Sequence, residues 1–194
     1  LERTGVDVRL NTPATAQKLA SGEFDRVIVA TGIRPREVNF PGADHLKVVS
    51  YIDVITGRKQ AGGNVAIIGM GGIGFDVAEL LTAPQPASHR ETPEEFFEDW
   101  GVDTSPQSQT ALKEMHTAPA ARQVTLLQRS STRVGERLGL STGWIHRGKL
   151  RRRGVKMLTG CTYERVDEAG FHLTVNGEPK LLPVDTVVVC AAHE

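Results

Sequence analysis

Two runs of hydrophobic residues near opposite ends of the chain share one pattern. Residues 23–32 contain an aspartate, a run of mainly β-branched residues and then small residues, and residues 183–192 repeat this order. A run that is apolar at every position is typical of a strand buried on both faces of a parallel sheet. The segments 5–10 and 154–158, which precede the two copies, both begin with Gly-Val. The pattern therefore predicts two related α/β units, the first of which has lost its beginning to truncation.

The middle of the chain alternates strand and helix patterns. The apolar run Val65–Ile68 is followed by a glycine-rich turn and then by apolar residues at helical spacing, namely Ile73, Val77, Leu80 and Leu81. Another apolar run lies at 123–128, and Asn176-Gly177 within segment 171–182 is typical of a tight hairpin turn. This order predicts an α/β fold: a Rossmann-like, three-layer domain with a parallel sheet and a small antiparallel β excursion, plus a partial second domain.

Shorter signals fill the connections. Ser50 and Asp53 are spaced as in an acidic variant of a capping box, which predicts a short helix, and residues 57–63 have the composition of a linker. After Ser141-Thr142 we expect a helix with three inward side chains: Trp144, Ile145 and Leu150. Its basic residues are expected to be largely solvated: Arg147, Lys149, Arg151, Arg152 and Arg153.

A long insertion, residues 83–122, interrupts the second unit and is rich in Pro, Gln, Ser and Thr. Within it, Thr92-Pro93-Glu94-Glu95 predicts a capped helix with three aromatic residues on one face: Phe96, Phe97 and Trp100. That face fits either a lid or a contact with another domain, or a local cover over the unit's own core.

Charge balance and cysteine spacing restrict the function classes. The 23 basic and 23 acidic residues cancel, so we expect neither nucleic acid nor a membrane as a partner. Cys161 and Cys190 are isolated in the sequence, which argues against a disulfide framework, a zinc site and a redox-active dithiol. No apolar run is long enough to cross a bilayer, and the first residues lack a signal-peptide pattern and an initiator Met. We therefore expect a cytoplasmic segment cut from a longer chain.

The glycine-rich turn, Gly69–Gly74, has the spacing and the setting of a dinucleotide-binding turn. Gly69 permits a tight turn off the strand, Gly71 lets the backbone approach a pyrophosphate, and Gly74 allows close helix–strand packing. Gly72 and Ile73 contribute N–H groups at the start of the helix, where phosphates bind.

The end of the next strand predicts which dinucleotide is bound. A carboxylate at this point normally accepts hydrogen bonds from the ribose hydroxyls of NAD, but here the chain reads Gln128-Arg129-Ser130. Arg129 can pair with a 2′-phosphate and Ser130 can donate to it, which predicts NADPH in preference to NADH. Arg133 is a weaker second candidate.

The sequence identifies no catalytic residue and no metal ligand. None of the six histidines has a partner at metal-ligand spacing. His146 lies beside Trp144 and is close enough in sequence to approach a cofactor, and His193 follows the last predicted strand. The pattern indicates a segment that holds a cofactor.

Four segments together resemble bacterial NADPH-dependent 2,4-dienoyl-CoA reductases. They are the glycine turn with its flanks (65–76), Glu98–Gly101 in the insertion, Leu127–Arg129, and Thr142–Arg147. The resemblance covers nearly the whole chain. The turn is common to many families, whereas its combination with the insertion and with Thr-Gly-Trp-Ile-His-Arg is more specific.

The resemblance implies a multidomain oxidoreductase of unsaturated fatty acid β-oxidation. In such a flavoprotein, electrons pass from NADPH to FAD, through an iron–sulfur cluster to FMN, and on to the unsaturated thioester. By this division, residues 1–47 end the first FAD-domain segment and 48–63 form a linker. Residues 64–190 are the NADPH-binding domain, and 191–194 begin the return to the FAD domain.

The same resemblance implies cofactor contacts. Arg129 and Ser130 would hold the 2′-phosphate end of NADPH, and Trp144 would be a further contact. Four residues of the first segment are implied near FAD: Ala14, Ala30, Thr31 and Gly32. Because the chain contains no FMN barrel, no cluster cysteines and no second glycine turn, we expect FAD to bind this segment weakly or not at all. FMN, the cluster and the catalytic acids would belong to the missing FMN and FAD domains, the segment's main partners.

Two other interpretations remain open from the sequence. One is the equivalent domain of a related flavoprotein, such as an amine dehydrogenase, that holds ADP without turnover. The other is a non-catalytic module in which bound nucleotide only stabilises the fold. Arg129 favours an NADPH domain over the first of these, and titration with NADPH, NADH and ADP distinguishes all three.

Overall fold

The computed structural model describes residues 2–22, 24–84, 86 and 89–191. The chain divides into two compact units, with the boundary between Ile33 and Arg34. Eight strands follow in chain order: β1 Val48–Ser50, β2 Asn64–Ile68, β3 Gln123–Leu127, β4 Lys156–Leu158, β5 Cys161–Asp167, β6 Gly170–Val175, β7 Glu178–Leu182 and β8 Thr186–Val189. The α-helices are α1 Ala16–Ala20, α2 Tyr51–Ile55, α3 Gly72–Thr82, α4 Pro93–Trp100 and α5 Gly143–Arg152, and a 3₁₀ turn spans Glu2–Thr4.

The first unit has little regular structure. Helix α1 begins after Thr15, whose hydroxyl accepts a hydrogen bond from the Lys18 N–H at 3.3 Å, and none of its residues is buried. The strand predicted within 23–32 is wrong, since the described residues of this segment, like residues 5–10 before it, lie outside any strand. The reason is that an apolar run is stabilised as a parallel strand only between paired neighbours, and no strand is found in the described part of this unit.

The second unit is built on a five-stranded parallel sheet in the order β1-β8-β2-β3-β4. Side chains of β2 alternate between its two faces. Val65 and Ile67 pack with helices α2, α3 and α5, while Ala66 and Ile68 pack against the antiparallel sheet β5-β6-β7. All four are 2% exposed or less. The result is three layers with a core on each side of the parallel sheet, which confirms the predicted fold class.

The hairpin predicted at Asn176-Gly177 is confirmed. These two residues join β6 to β7 with φ angles of 52° and 89°, as a tight hairpin turn requires. Strand β5, which the sequence does not predict, pairs with β6 and has a register shift between Tyr163 and Arg165. That irregularity interrupts the simple alternation by which a strand is recognised in sequence.

Residues 47–63, which follow the first sequence copy, are part of the second unit's fold. Helix α2 begins after Ser50, whose hydroxyl accepts from the Ile52 N–H at 3.2 Å, so the predicted helix is confirmed. The predicted role of Asp53 in a capping box is wrong, because its carboxylate pairs with Arg58 at 2.9 Å. Strand β1 precedes this helix, and residues 34–47 also belong to the second unit. The assignment of residues 1–47 to a flavin domain stays a prediction.

Helix α4 has the predicted capping box, with Thr92 and Glu95 each accepting from the other's backbone N–H. The Arg152 guanidinium of α5 lies 4.2 Å from the centre of the Trp100 ring, and Asp99 approaches it at 3.6 Å. These contacts support a local cover over the unit. Phe96 remains 42% exposed on the same helix.

Helix α5 confirms some of its predicted orientations and corrects others. Leu150 is fully buried, as expected, but Trp144 is 60% exposed, so its predicted inward orientation is wrong. Arg152 is not largely solvated either, with only 20% of its side chain exposed. The two residues differ because Trp100 and Asp99 of the insertion cover Arg152 at the end of this helix, whereas Trp144 at its start remains exposed. None of the helices in the described ranges is long and apolar enough to cross a membrane.

Candidate nucleotide-binding site

The carboxyl ends of β2, β3 and β8 lie side by side at one edge of the parallel sheet. From β2, in the middle of the sheet, the chain passes first to β3 on one side and later to β8 on the other. Such a reversal of strand order opens a crevice in which doubly wound α/β proteins bind ligands.

The Gly69–Gly74 turn leaves β2 at this crevice. Gly69 has a φ of 111°, and its N–H donates to the Leu127 carbonyl at 2.9 Å. A Cβ on Gly69 would lie 2.5 Å from the Cys190 carbonyl oxygen. A Cβ on Gly74 would overlap the Gly69 carbonyl. Both positions therefore exclude larger residues. At Gly69 the positive φ and the Cys190 carbonyl exclude a side chain, and at Gly74 the close approach of the helix to the strand does so.

Gly71 and Gly72 lie in the opposite environment. A Cβ added at either would meet no atom within 4 Å, so the space in front of these residues is open. The first hydrogen bond of α3 runs from the Phe75 N–H to the Gly71 carbonyl at 3.1 Å. The N–H groups of Gly72, Ile73 and Gly74 precede it and have no partner within the helix. Open space, free donors and the positive end of an eleven-residue helix fit a pyrophosphate.

A second loop, Gln128–Thr132, follows β3 beside the turn, and we call it the strand-end loop. Arg129 and Ser130 are both exposed on it. In the part of the chain that the structure describes, the Arg129 guanidinium has no ion pair and no hydrogen bond. Burial raises the pKa of the Tyr163 hydroxyl, and the positive charge of Arg129 lowers it in part. Arg133, just beyond the loop, is also exposed. An exposed, unpaired arginine is available to an anionic ligand.

Trp144 and His146 differ in their surroundings although both lie on α5. The indole N–H of Trp144 donates to the Ser141 carbonyl at 3.0 Å, and the ring remains accessible to a ligand. His146 instead contacts Glu79 of α3 at 2.6 Å, and Lys149 pairs with the same carboxylate at 3.2 Å. His146 thus joins two helices. Its predicted approach to a cofactor has no support in these contacts.

The residues predicted to lie near FAD belong to the first unit. They are all exposed and lie outside regular secondary structure: Ala14, Ala30, Thr31 and Gly32. Their flavin contacts remain a prediction. His193 lies outside the described residues.

The two cysteines are free and buried. Burial raises the pKa of Cys161 and raises that of Cys190 to about 12, so both are neutral thiols near pH 7. Cys190 nevertheless contributes to the site, because its N–H donates to the Ile68 carbonyl at 2.8 Å and its own carbonyl backs Gly69. The sequence does not predict this contact, which joins residues far apart in the chain.

No group of three or more potential metal ligands occurs among the described residues. Two separate buried cysteines do not fit an iron–sulfur cluster, so no step is assigned to a cluster within this chain.

A cavity of about 410 Å³ lies at the same sheet edge on the other side of the turn. Its walls include Ser50 and Val189, which end β1 and β8, together with Pro35–Val38. The edge therefore offers three adjacent features in a row: the strand-end loop, the glycine turn and this cavity.

Several known proteins are similar to this chain in sequence or in fold. Residues 2–191 match the pyridine nucleotide-disulphide oxidoreductase family. A metal reductase of Desulforamulus reducens is 30% identical over 189 residues, which cover 95% of this chain and 27% of that protein. A cinnamate reductase of Clostridium sporogenes is 40% identical over 81 residues, which cover 42% of this chain and 12% of that protein.

Among solved structures, a 2-naphthoyl-CoA reductase in complex with 2-naphthoyl-CoA has a TM-score of 0.65 at 20% identity. The match covers 100% of this chain and 24% of that one, and at this identity it shows the fold alone. The chain spans 27% of the length of the metal reductase. The match over residues 2–191 shows that the chain belongs to the pyridine nucleotide-disulphide oxidoreductase family, whose members bind FAD and NAD(P).

Proposed function

We propose that the second unit binds NADPH along the carboxyl edge of its parallel sheet. The observation that carries this proposal is an open glycine turn, Gly71-Gly72, beside a strand-end loop that exposes Arg129, whose guanidinium has no hydrogen bond or ion pair with any described residue. The turn accounts for a dinucleotide, and the arginine accounts for its 2′-phosphate.

We assign three parts of NADPH to three features of the sheet edge. The pyrophosphate binds the N–H groups at the start of α3, and the 2′-phosphate contacts Arg129 and Ser130, with Arg133 close in sequence. The cavity lined by Ser50 and Val189, at the ends of β1 and β8, is large enough to hold a ring and would receive the nicotinamide half. Trp144 is a further contact through its exposed indole.

The chain's own residues bind and orient the dinucleotide. Bound NADPH supplies a hydride to an acceptor. Gly69 and Gly74 fix the turn, and the burial of Cys190 keeps a thiol beside it neutral. Among the described residues we assign no acid, base or nucleophile to the reaction.

For the whole protein, we propose a cytoplasmic flavin oxidoreductase that passes hydride from NADPH to FAD and reduces a 2,4-dienoyl-CoA thioester. FMN, an iron–sulfur cluster and most of the FAD site would lie in the partner domains of the same protein. The sequence resemblance supports this reaction, and the membership of an oxidoreductase family is consistent with it.

The substitution Arg129→Asp tests the cofactor assignment. It replaces the cation by a carboxylate that repels a 2′-phosphate and can accept from ribose hydroxyls. We expect the affinity for NADPH to fall roughly tenfold to a hundredfold, with that for NADH maintained or increased. Dissociation constants from calorimetric titration measure both. Arg137→Asp, at another exposed loop arginine, is the matched control for net charge. An unchanged preference in Arg129→Asp would overturn the proposal.

A further inference from the structure

The side chain of Gln128 closes the strand-end loop on itself. Its amide nitrogen Nε2 donates to the carbonyl oxygens of Ser130 at 3.0 Å and of Thr132 at 2.9 Å. Both amide hydrogens thus bind the loop's own backbone. An ionised carboxylate, which has no hydrogen to donate, cannot make these two bonds.

Backbone hydrogen bonds hold the same loop from the other side. The Cys161 N–H donates to the Gln128 carbonyl at 3.0 Å, and the Gly160 N–H donates to the Ser130 carbonyl at 3.0 Å. Arg129 lies between these two anchored residues. Its backbone is therefore held in place while its side chain remains exposed. A cation displayed from a fixed backbone loses less conformational freedom when it binds an anion.

The closure also brings two hydroxyl groups together. The Ser130 Oγ and Thr132 Oγ1 atoms are 3.0 Å apart, on the two residues whose carbonyls share the Gln128 amide. These hydroxyls share a hydrogen bond in which either can be the donor, so one hydroxyl hydrogen is left for a phosphate oxygen. The guanidinium of Arg129, the residue before Ser130, adds a charge-assisted donor. The loop thereby offers a guanidinium and a hydroxyl donor within five consecutive residues.

We propose that Gln128 is the positioning residue for recognition of the 2′-phosphate, and that Thr132 is a further contact with that group. This inference rests on the proposed NADPH function. Gln128 acts through Arg129, Ser130 and Thr132, which it holds in the conformation that receives the phosphate. Gln128 thus has two effects at the strand end. It occupies the position at which a carboxylate would favour NADH, and it holds the loop in the conformation that favours NADPH.

The test is the substitution Gln128→Met, which keeps the length of the side chain and removes its two donors. Titration of the full chain with NADPH and NADH should show roughly a tenfold loss of NADPH affinity, with NADH affinity changed by less than about twofold. Gln123→Met, at an exposed glutamine that begins the same strand, is the matched control and should change neither affinity. In the Gln128→Met/Arg129→Ala double variant, we expect little further loss beyond that of Arg129→Ala.

Equal weakening of both nucleotides by Gln128→Met, or retention of the NADPH preference, would overturn the inference. Should this variant fail to fold, Thr132→Val provides the second test at an exposed position, and an unchanged NADPH preference there would also overturn it. Failure of the proposed function is a different result: the unsubstituted protein would then bind NADPH and NADH equally, and Arg129→Asp would change neither.

Discussion

Residues 23–32 and 183–192 have the same hydrophobic pattern, but their described parts have different structures. In the second copy, Val188 of β8 is fully buried and lies between β1 and β2, aligned with Val49 and Ile67. At the equivalent place in the first copy, Ile28 is 90% exposed and lies outside any strand. The comparison shows that an apolar β-branched run becomes a buried strand only when partner strands flank it.

The two copies also differ in what surrounds them. The second copy forms β8 and ends beside the Gly69–Gly74 turn. Helices cover one face of the parallel sheet to which β8 belongs, and the antiparallel sheet covers the other. The described residues of the first unit include one short helix, α1, with no buried residue. The proposed nucleotide site therefore depends on the assembled layers, which the described residues form in the second unit.

The comparison is tested most strongly by placing one charge at the equivalent position of each copy. Val188→Asp buries an unpaired carboxylate, so we expect it to lower the free energy of unfolding by about 3–5 kcal/mol or to prevent folding. Ile28→Asp should change it by less than about 0.5 kcal/mol, because that side chain is exposed. Chemical denaturation followed by circular dichroism measures both. Equal effects would show that the two copies are alike.

Substitutions at Gly74 and at Gly72 should affect different properties, namely stability in the first case and nucleotide binding in the second. Gly74→Ala places a methyl group against the Gly69 carbonyl and should lower the free energy of unfolding by about 1–3 kcal/mol. Gly72→Ala enters open space, so its stability should be unchanged or slightly higher, while a bound pyrophosphate would meet the methyl group. Thermal unfolding and titration with NADPH distinguish the two effects. Undiminished NADPH affinity in Gly72→Ala would contradict phosphate binding at the turn.

The smallest expected effect concerns the antiparallel sheet that covers only the second copy. Asp167 accepts a hydrogen bond from His172, with 2.8 Å between Oδ2 and Nε2, and this bond is the main reason that its pKa is lowered to about 2. A lowered carboxyl pKa stabilises the fold above the group's ordinary value of 3.8, and this stabilisation is lost as the pH falls through about 2.

We therefore expect the stability difference between the unsubstituted protein and Asp167→Asn to shrink between pH 3.8 and about 2. Denaturation at a series of pH values measures it. In the background of His172→Phe, which removes the main hydrogen bond, the pH dependence should become smaller, while the bonds from Arg165 and from the Ala169 N–H keep part of it. A difference that stays constant down to pH 2 would contradict the assigned contact.

Features encoded by neighbouring residues could be predicted from the sequence. The capping box of α4 and the Asn176-Gly177 hairpin depend on contacts within a few residues, and the Gly69–Gly74 turn is recognised from the spacing of its own glycines. The exposed position of Arg129 after β3 follows in the same way from strand order.

Features that depend on distant partners could not be predicted. The three-residue β1 is a strand because it pairs with β8, about 140 residues later, and Arg152 is covered because the insertion brings Trp100 to it. Within the site, the Cys190 carbonyl behind Gly69 and the anchoring of the strand-end loop by Gly160 and Cys161 are also long-range contacts. Periodicity along the chain has no signal for such contacts.

Calorimetric titration of the unsubstituted chain with NADPH, NADH and ADP tests the central claim most directly. If the glycine turn receives the pyrophosphate and Arg129 the 2′-phosphate, NADPH should bind at least roughly tenfold more tightly than NADH or ADP. Equal affinity for all three nucleotides, or no binding, would contradict the account.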